Sequence, residues 1–248
     1  MKQAFLGSFL LVNVLISLPV FAANPQHLEQ LLKTNNCSGC DLSNADLSNK
    51  NLYGALLNDA NLQGANLQKS YLRKAFLVSA NLKNANLSGA NLTSADLVRA
   101  DLSTANLSNA DLNQAVLNEA NLQGANLQKA ELFNTSLAKV NLSRANLNEA
   151  YLFSSILPKS NLQGASLIKA NLSQVYLSGA NLQEANLTEA DLSSCDLSGA
   201  NLTRANLTKT ILGQAILFRA NINGTIFQNT MLNGAIMPNG ELKHYFTK

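Results

Sequence analysis

The chain has 248 residues, 46% of them hydrophobic, 13% charged and 6% aromatic, with no Trp and a formal charge of +3. That length allows one large domain or two small ones, but the chain lacks the large, varied side chains of an ordinary globular enzyme core. So small a net charge supports neither strong attraction to nucleic acid nor mimicry of it.

In chain order, the first element reads as a leader. Lys2 precedes an apolar run from Ala4 to Leu18, broken only by Gly7, Ser8, Asn13 and Ser17, and Pro19 and Val20-Phe21-Ala22 follow. A basic start, an apolar stretch and a small-residue end read as a secretory signal over residues 1–22, which places the mature chain outside the cytoplasm. An uncleaved anchor is the competing reading, but the run is shorter than the roughly 20 residues that span a bilayer. No later segment is apolar enough to cross one, so no stable membrane span is expected after cleavage. Loss of Lys2 leaves a charge of +2.

Residues 23–36 form the next expected unit. Asn24-Pro25 joins an N-cap residue to proline at the first helical position, and HLEQLLK places Leu28, Leu31 and Leu32 on one side. The expectation is a short capping α-helix from Pro25 to Lys33.

From Leu42 onward every fifth residue is apolar: Leu at each step to Leu217, then Ile222, Phe227, Leu232, Met237 and Leu242. A period of five would scatter the leucines around an α-helix and alternate them between the faces of a flat strand. The chain must therefore change direction every five residues and always turn the same position inward, which is a solenoid. A second inward slot, two residues before each Leu, is mostly Ala and otherwise small, as a crowded axis requires. Lys50 is its one misfit, with a stem expected to snorkel to solvent from a loosely packed first coil.

The pattern of Ala, Asp or Asn, Leu and two variable residues, as in Ala100-Asp101-Leu102-Ser103-Thr104, resembles the pentapeptide-repeat family from Cys40 to Asn239, within a repeat domain expected over residues 37–239. The resemblance implies an all-β solenoid, a right-handed quadrilateral β-helix with four pentapeptides to a coil. It implies little about activity beyond the binding of other proteins, and it implies no cofactor.

The sequence tests the four-sided coil separately. NLQGANLQKS at 61, NLQGANLQKA at 121, NLQGASLIKA at 161 and NLQEANLTEA at 181 recur at offsets that are multiples of 20. Residues n and n+20 should then stack about 4.8 Å apart, so about ten coils make a rod on the order of 48 Å long.

Stacked columns make the faces readable. The residue before Leu on the first face is Asn or Asp in every coil from Asp41 to Asn221, a structural ladder. On the second face Lys129, Glu149, Lys169, Glu189 and Lys209 alternate in sign, as do Arg99, Glu119 and Lys139 on the fourth. A nucleic-acid stripe would be basic throughout, so these read as register-setting pairs. The fourth face departs from the polar rule with Leu56, Phe76, Val116, Ile156, Tyr176, Ile216 and Ile236 before Leu. The third face adds Tyr71, Tyr151, Ile211 and Met231, with Tyr53, Phe133 and Phe153 just after Leu. Contiguous apolar surface of this kind marks an interface, for self-association or for a protein partner.

Cys37 lies on the leucine register and Cys40 in the small slot, as C-x-x-C after the helix. Three readings stand: a disulfide fastening the cap, two buried thiols, or a redox-active pair. An oxidising destination favours the disulfide, and the βαβ setting of redox motifs is missing. Cys195 is too far along the rod to pair with either and reads as a small core residue.

No catalytic or metal residues are assigned. His27 and His244 stand at opposite ends of the chain, and the Gly-containing stretches lack a phosphate-loop pattern. Residues 240–248 are expected to cap the far end through Leu242, Tyr245 and Phe246, because an open solenoid exposes core and strand edges there. The functional expectation is an exported, non-catalytic interaction or structural module. A topoisomerase-protecting duplex mimic, a role known within the family, is the alternative. The order of leader, helix, CSGC and repeats is similar to that of cyanobacterial pentapeptide-repeat proteins, whose destination is the periplasm or the thylakoid lumen.

Overall fold

The structure, a computed structural model, describes residues 23–243. The leader over 1–22, His244, Tyr245 and Phe246 lie outside the described residues.

The repeat dictates a square. In each pentapeptide the residue three places after Leu closes a tight turn, as where Ala45 N–H donates to the Leu42 carbonyl at 3.1 Å. The residue before it is left-handed, as at Asn44 with φ 56°, which is the type II pattern. Every fifth residue from Gly39 to Gly234 has this positive φ, and most of them are not glycine. Each non-glycine position carries a backbone penalty of about 1–2 kcal/mol, which coil-to-coil pairing must offset.

That pairing is regular. Residues n and n+20 form parallel bridges from Asn36–Leu56 to Ile216–Ile236, one bridge on each wall of each coil. Leu42 N–H donates to Asn61 O at 2.7 Å and Asn61 N–H donates to Cys40 O at 2.8 Å. Asn44 N–H, on the left-handed residue, donates to Gln63 O at 2.8 Å. The architecture is a right-handed quadrilateral β-helix, as the repeat implied.

The leucines at every fifth position from Leu42 to Leu217 are fully buried and the small slot beside them is mostly filled by Ala. Each buried leucine contributes roughly 1.5–3 kcal/mol, so the core gains by repetition what it lacks in variety. Where the small slot holds a hydroxyl, it reaches a leucine carbonyl: Thr210 donates to Leu187 O at 2.8 Å and Ser70 to Leu67 O at 2.7 Å. Lys50 is exposed at the edge of the first coil.

Helix α1 spans Pro25–Thr34, one residue further than expected. The Asn24 side chain accepts from Gln26 N–H, and the left-handed Asn35 ends the helix with its N–H on Leu31 O. Leu31 is buried and Leu28 packs partly against the core, closing the first coil. Leu32 is a correction to the expected stripe, because it is 51% exposed. It lies about 100° around the helix from Leu31, too far to reach a contact that Leu28 and Leu31 already fill.

The far end is also corrected. Ile222, Phe227 and Leu232 are only partly buried. Gly240, with φ 87°, reverses the chain, so Leu242 pairs antiparallel with Ile236 and does not turn inward. Leu242 is 48% exposed. The segment covers a strand edge, taking Gly234 N–H on Lys243 O at 2.7 Å and Met237 N–H on Glu241 O at 2.8 Å. It does not cover the core.

Candidate interaction surface

Four of the five N–H groups in a pentapeptide are satisfied by backbone, in the turn and in the coil pairing. The fifth belongs to the residue after Leu, and the Asn or Asp before Leu takes it. Ser43 N–H donates to Asp41 Oδ1 at 3.1 Å, and Ser103 N–H to Asp101 Oδ1 at 2.9 Å. On the first face each Asn from Asn61 to Asn201 then links to the coil before it. Asn61 Nδ2 donates to Asp41 Oδ1 at 3.0 Å, Asn121 to Asp101 at 3.0 Å and Asn141 to Asn121 at 2.9 Å. The Ser43 hydroxyl and N–H hold the Asp41 carboxyl below its ordinary value, with Asn61 and the charge of His27 adding to the effect. The ladder is therefore part of the backbone hydrogen-bond system.

Where an apolar or other side chain replaces Asn or Asp, that acceptor is lost, and at six of these positions the protein compensates in one of two ways. An Asn in the preceding coil can reach across: Val78 N–H finds Asn58 Oδ1 at 3.0 Å, Phe133 N–H finds Asn113 at 2.8 Å, Ala138 N–H finds Asn118 at 2.8 Å and Ile168 N–H finds Asn148 at 2.9 Å. Alternatively the N–H is absent, because Pro158 follows Ile156 and Pro238 follows Ile236 at this position. Among the described residues the N–H groups of Arg73, Phe153 and Ser178, which follow Tyr71, Tyr151 and Tyr176, have no protein acceptor. Arg73 is exposed, and Phe153 and Ser178 are half-buried.

Leu56, Phe76, Ile156, Tyr176, Ile216, Tyr71 and Tyr151 are exposed, Tyr176 most of all at 56%, whereas Val116 and Ile236 are half-buried. The surface is not contiguous as expected. In the fourth-face column Asp96, Ser136 and Asp196 interrupt it, because one coil contributes one residue and a single polar residue opens a gap. The result is three islands and a lone, half-buried Val116 between Asp96 and Ser136. Near α1 lie Leu56 and Phe76, and on the third face Tyr53 and Tyr71 stack at 6.1 Å. In the middle Ile156 pairs with Tyr176 around the corner from Phe133, Tyr151 and Phe153. There the Phe133 and Phe153 rings lie 5.8 Å apart at 7°, with Tyr151 6.2 Å from Phe153. Towards the far end lie Ile211, Met231, Ile216 and Ile236.

Phe218 and Ile226 are exposed additions that the sequence reading missed. Ile226 replaces the usual Asn on the second face, a signal visible in its column. Phe218 carries the Arg219 guanidinium 5.0 Å from its ring centroid.

The charge ladder closes in part. Lys129 meets Glu149 at 3.6 Å, Glu189 lies between Lys169 at 3.7 Å and Lys209 at 3.2 Å, and Lys139 meets Glu119 at 3.3 Å. Arg204 adds a pair with Glu184 at 3.7 Å. All reach solvent, so each pair is screened and weak.

Cys37 and Cys40 are joined as a disulfide with Cα atoms 5.2 Å apart. The Cys37 sulfur lies 3.2 Å from His27 O, and His27 Nδ1 accepts Asp41 N–H at 3.0 Å, so bridge, helix and first coil meet at one point. The Cys195 thiol is buried, and burial pushes its pKa well above the ordinary thiol range. Among the described residues there is no group of three or more His, Cys, Asp or Glu placed to hold a metal, and no helix long and apolar enough to cross a membrane.

Square coils, amide ladders and local apolar breaks define a β-helical repeat scaffold. The profile described as "Pentapeptide repeats" matches eight copies between residues 36 and 239, and the chain belongs to the pentapeptide-repeat family. It is 35% identical to HetL of the cyanobacterium Nostoc sp. strain PCC 7120, a protein involved in heterocyst differentiation regulation. That likeness covers 84% of this chain and 91% of HetL, with a TM-score of 0.49. QnrB1, a plasmid-mediated fluoroquinolone resistance protein in trypsin-treated form, is 17% identical over 76% of this chain and 86% of its own, with a TM-score of 0.58, a likeness of fold. A pentapeptide repeat protein of the Arabidopsis thaliana thylakoid lumen is 32% identical over 42% of this chain and 65% of its own, with a TM-score of 0.18. A comparison with curated proteins finds no match.

Proposed function

We propose that this protein is an exported, non-catalytic interaction module that holds a protein partner or a second copy against its third and fourth faces. One observation carries the reading. The first face keeps Asn or Asp before Leu throughout, while the fourth keeps that hydrogen-bonding residue only at Asp96 and Asp196 and exposes Phe76, Ile156 and Tyr176. Loss of a structural acceptor in favour of exposed apolar area costs stability, so a contact that gains from that area supplies the reason for it. Export rests on the leader-like residues 1–22, with the periplasm or thylakoid lumen as destination.

The test is the variant Phe76→Asn/Ile156→Asn/Tyr176→Asn of the mature chain. It should lose self-association in sedimentation, or lose a partner captured from the exported fraction, while keeping its fold. Unchanged behaviour in both assays would sink the proposal. Topoisomerase protection by duplex mimicry, the alternative that the family resemblance raises, finds less support here. Lys129, Lys169 and Lys209 interleave with Glu149 and Glu189, so this wall offers no acidic stripe. Protection of DNA gyrase from a quinolone by the mature protein would restore that alternative.

A further inference from the structure

The middle island adjoins a groove of about 640 Å³ at the corner of the second and third faces, lined by Asn113, Lys129, Glu131, Phe133, Glu149 and Tyr151. The lining combines two aromatic rings, two carboxylates and one Lys. Glu131 stacks directly on Tyr151 in the third-face column, with Asp111 on its other side. Asn113 fixes the arrangement from the coil below: its Nδ2 donates to Glu131 Oε2 at 3.0 Å while its Oδ1 accepts Phe133 N–H at 2.8 Å. One Asn113 side chain thereby ties the Glu131 carboxylate to the Phe133 backbone, and both residues line the groove.

The charge of the groove is unbalanced. Lys129 is committed to Glu149 at 3.6 Å, and Lys169, the next cation in that ladder, is committed to Glu189 at 3.7 Å. Glu131 has no ion pair among the described residues. A carboxylate that lines one groove with aromatic rings and lacks its own cation complements a flat, weakly hydrated cation. Such a cation stacks on the rings and hydrogen-bonds the carboxylate in one pose.

We infer that this groove is a docking site for an arginine side chain on an extended, basic segment of a partner protein. The guanidinium lies against Tyr151 and Phe133 and donates to Glu131. The inference rests on reading the third and fourth faces as an interaction surface, and it supplies the chemistry of the partner there.

The test is titration of the mature protein with a blocked Arg-Gly-Arg-Gly peptide, read by chemical-shift changes of the Phe133, Tyr151 and Phe153 ring protons. A saturable response should weaken about tenfold in Glu131→Gln, which keeps the Asn113 hydrogen bond but removes the charge. It should also weaken in Tyr151→Ala, while Tyr71→Ala, on a separate island, should bind as the parent does. Equal binding by Glu131→Gln, or equal response to a blocked Glu-Gly-Glu-Gly peptide, overturns the inference. A response to neutral oligosaccharides that survives Glu131→Gln overturns it in favour of a sugar platform. The Phe76→Asn/Ile156→Asn/Tyr176→Asn variant retains the groove, so it should bind the peptide even where the fourth-face contact is lost. The two proposals therefore fail separately.

Discussion

Pro158 follows Ile156 by two residues, at the one turn position whose N–H the preceding side chain normally accepts. Ile156 offers no acceptor, and Pro158 offers no donor. Pro238 repeats the relationship after Ile236. The Pro158 carbonyl still serves the solenoid, accepting Lys139 N–H at 3.0 Å.

Replacing Pro158 with Ala should therefore lower stability by about 0.4–1 kcal/mol, because it frees the unfolded chain and adds an N–H with no side-chain acceptor. The double variant Ile156→Asn/Pro158→Ser should recover that loss, since Asn at 156 can accept the new N–H. Urea midpoints of the three proteins check this. Equal midpoints for parent and Pro158→Ala would contradict the pairing argument.

Ser155 does different work under the aromatic cluster. In the turn from Leu132 to Thr135 its hydroxyl accepts Thr135 N–H at 3.2 Å and donates to the Leu132 carbonyl, bridging the two groups that elsewhere bond directly. Ser155→Ala should leave both buried groups unmatched and cost about 1–3 kcal/mol. Hydrogen exchange at Thr135 and the Phe133 ring signals should respond before global unfolding does. Unaltered exchange would show that the turn closes without the hydroxyl.

Glu189 gives a pH prediction. The hydrogen bond from Lys209, its charge, and the charge of Lys169 hold this carboxyl below its ordinary value of 4.5. A lowered folded-state pKa means stabilisation that is present above the unfolded value and is lost as pH falls through the folded one. Lys209→Met should raise the Glu189 pKa towards the ordinary value, read from its side-chain carbon shift. An unmoved titration would show that the pair is not formed in solution.

The Cys37–Cys40 bridge closes a very short loop, so its expected contribution is about 2 kcal/mol in the chain-entropy picture. Because it holds α1 against the first coil, reduction should speed exchange of the amides around Leu31 and Asp41 while leaving the middle coils unchanged. The native protein should carry no free thiol besides Cys195. A purified native sample with three titratable thiols would overturn the bridge.

Much of this could be read along the chain. Five-residue spacing, offsets of 20 and the column from Asp41 to Asn221 are local constraints repeated in every coil, so sequence alone gave the square cross-section, the faces and the positions of Phe76, Ile156 and Tyr176. What it did not give depends on reach in space. That Asn58 and Asn113 serve N–H groups a coil away is set by side-chain direction, not by the repeat itself. Leu32 and Leu242 matched the apolar pattern yet face solvent, because periodicity says nothing about where a helix meets its coil or where a glycine turn ends the register.

The amino-acid sequence by itself determined the β-helix, because Leu and Ala at fixed spacing leave the backbone one way to bury them while pairing its polar groups. Only the tertiary structure decided how the apolar residues are divided into three islands, and that Glu131 stands without a cation in one groove with aromatic rings. Those features depend on which neighbour each side chain meets in the next coil, a distance of one strand spacing that no single repeat encodes.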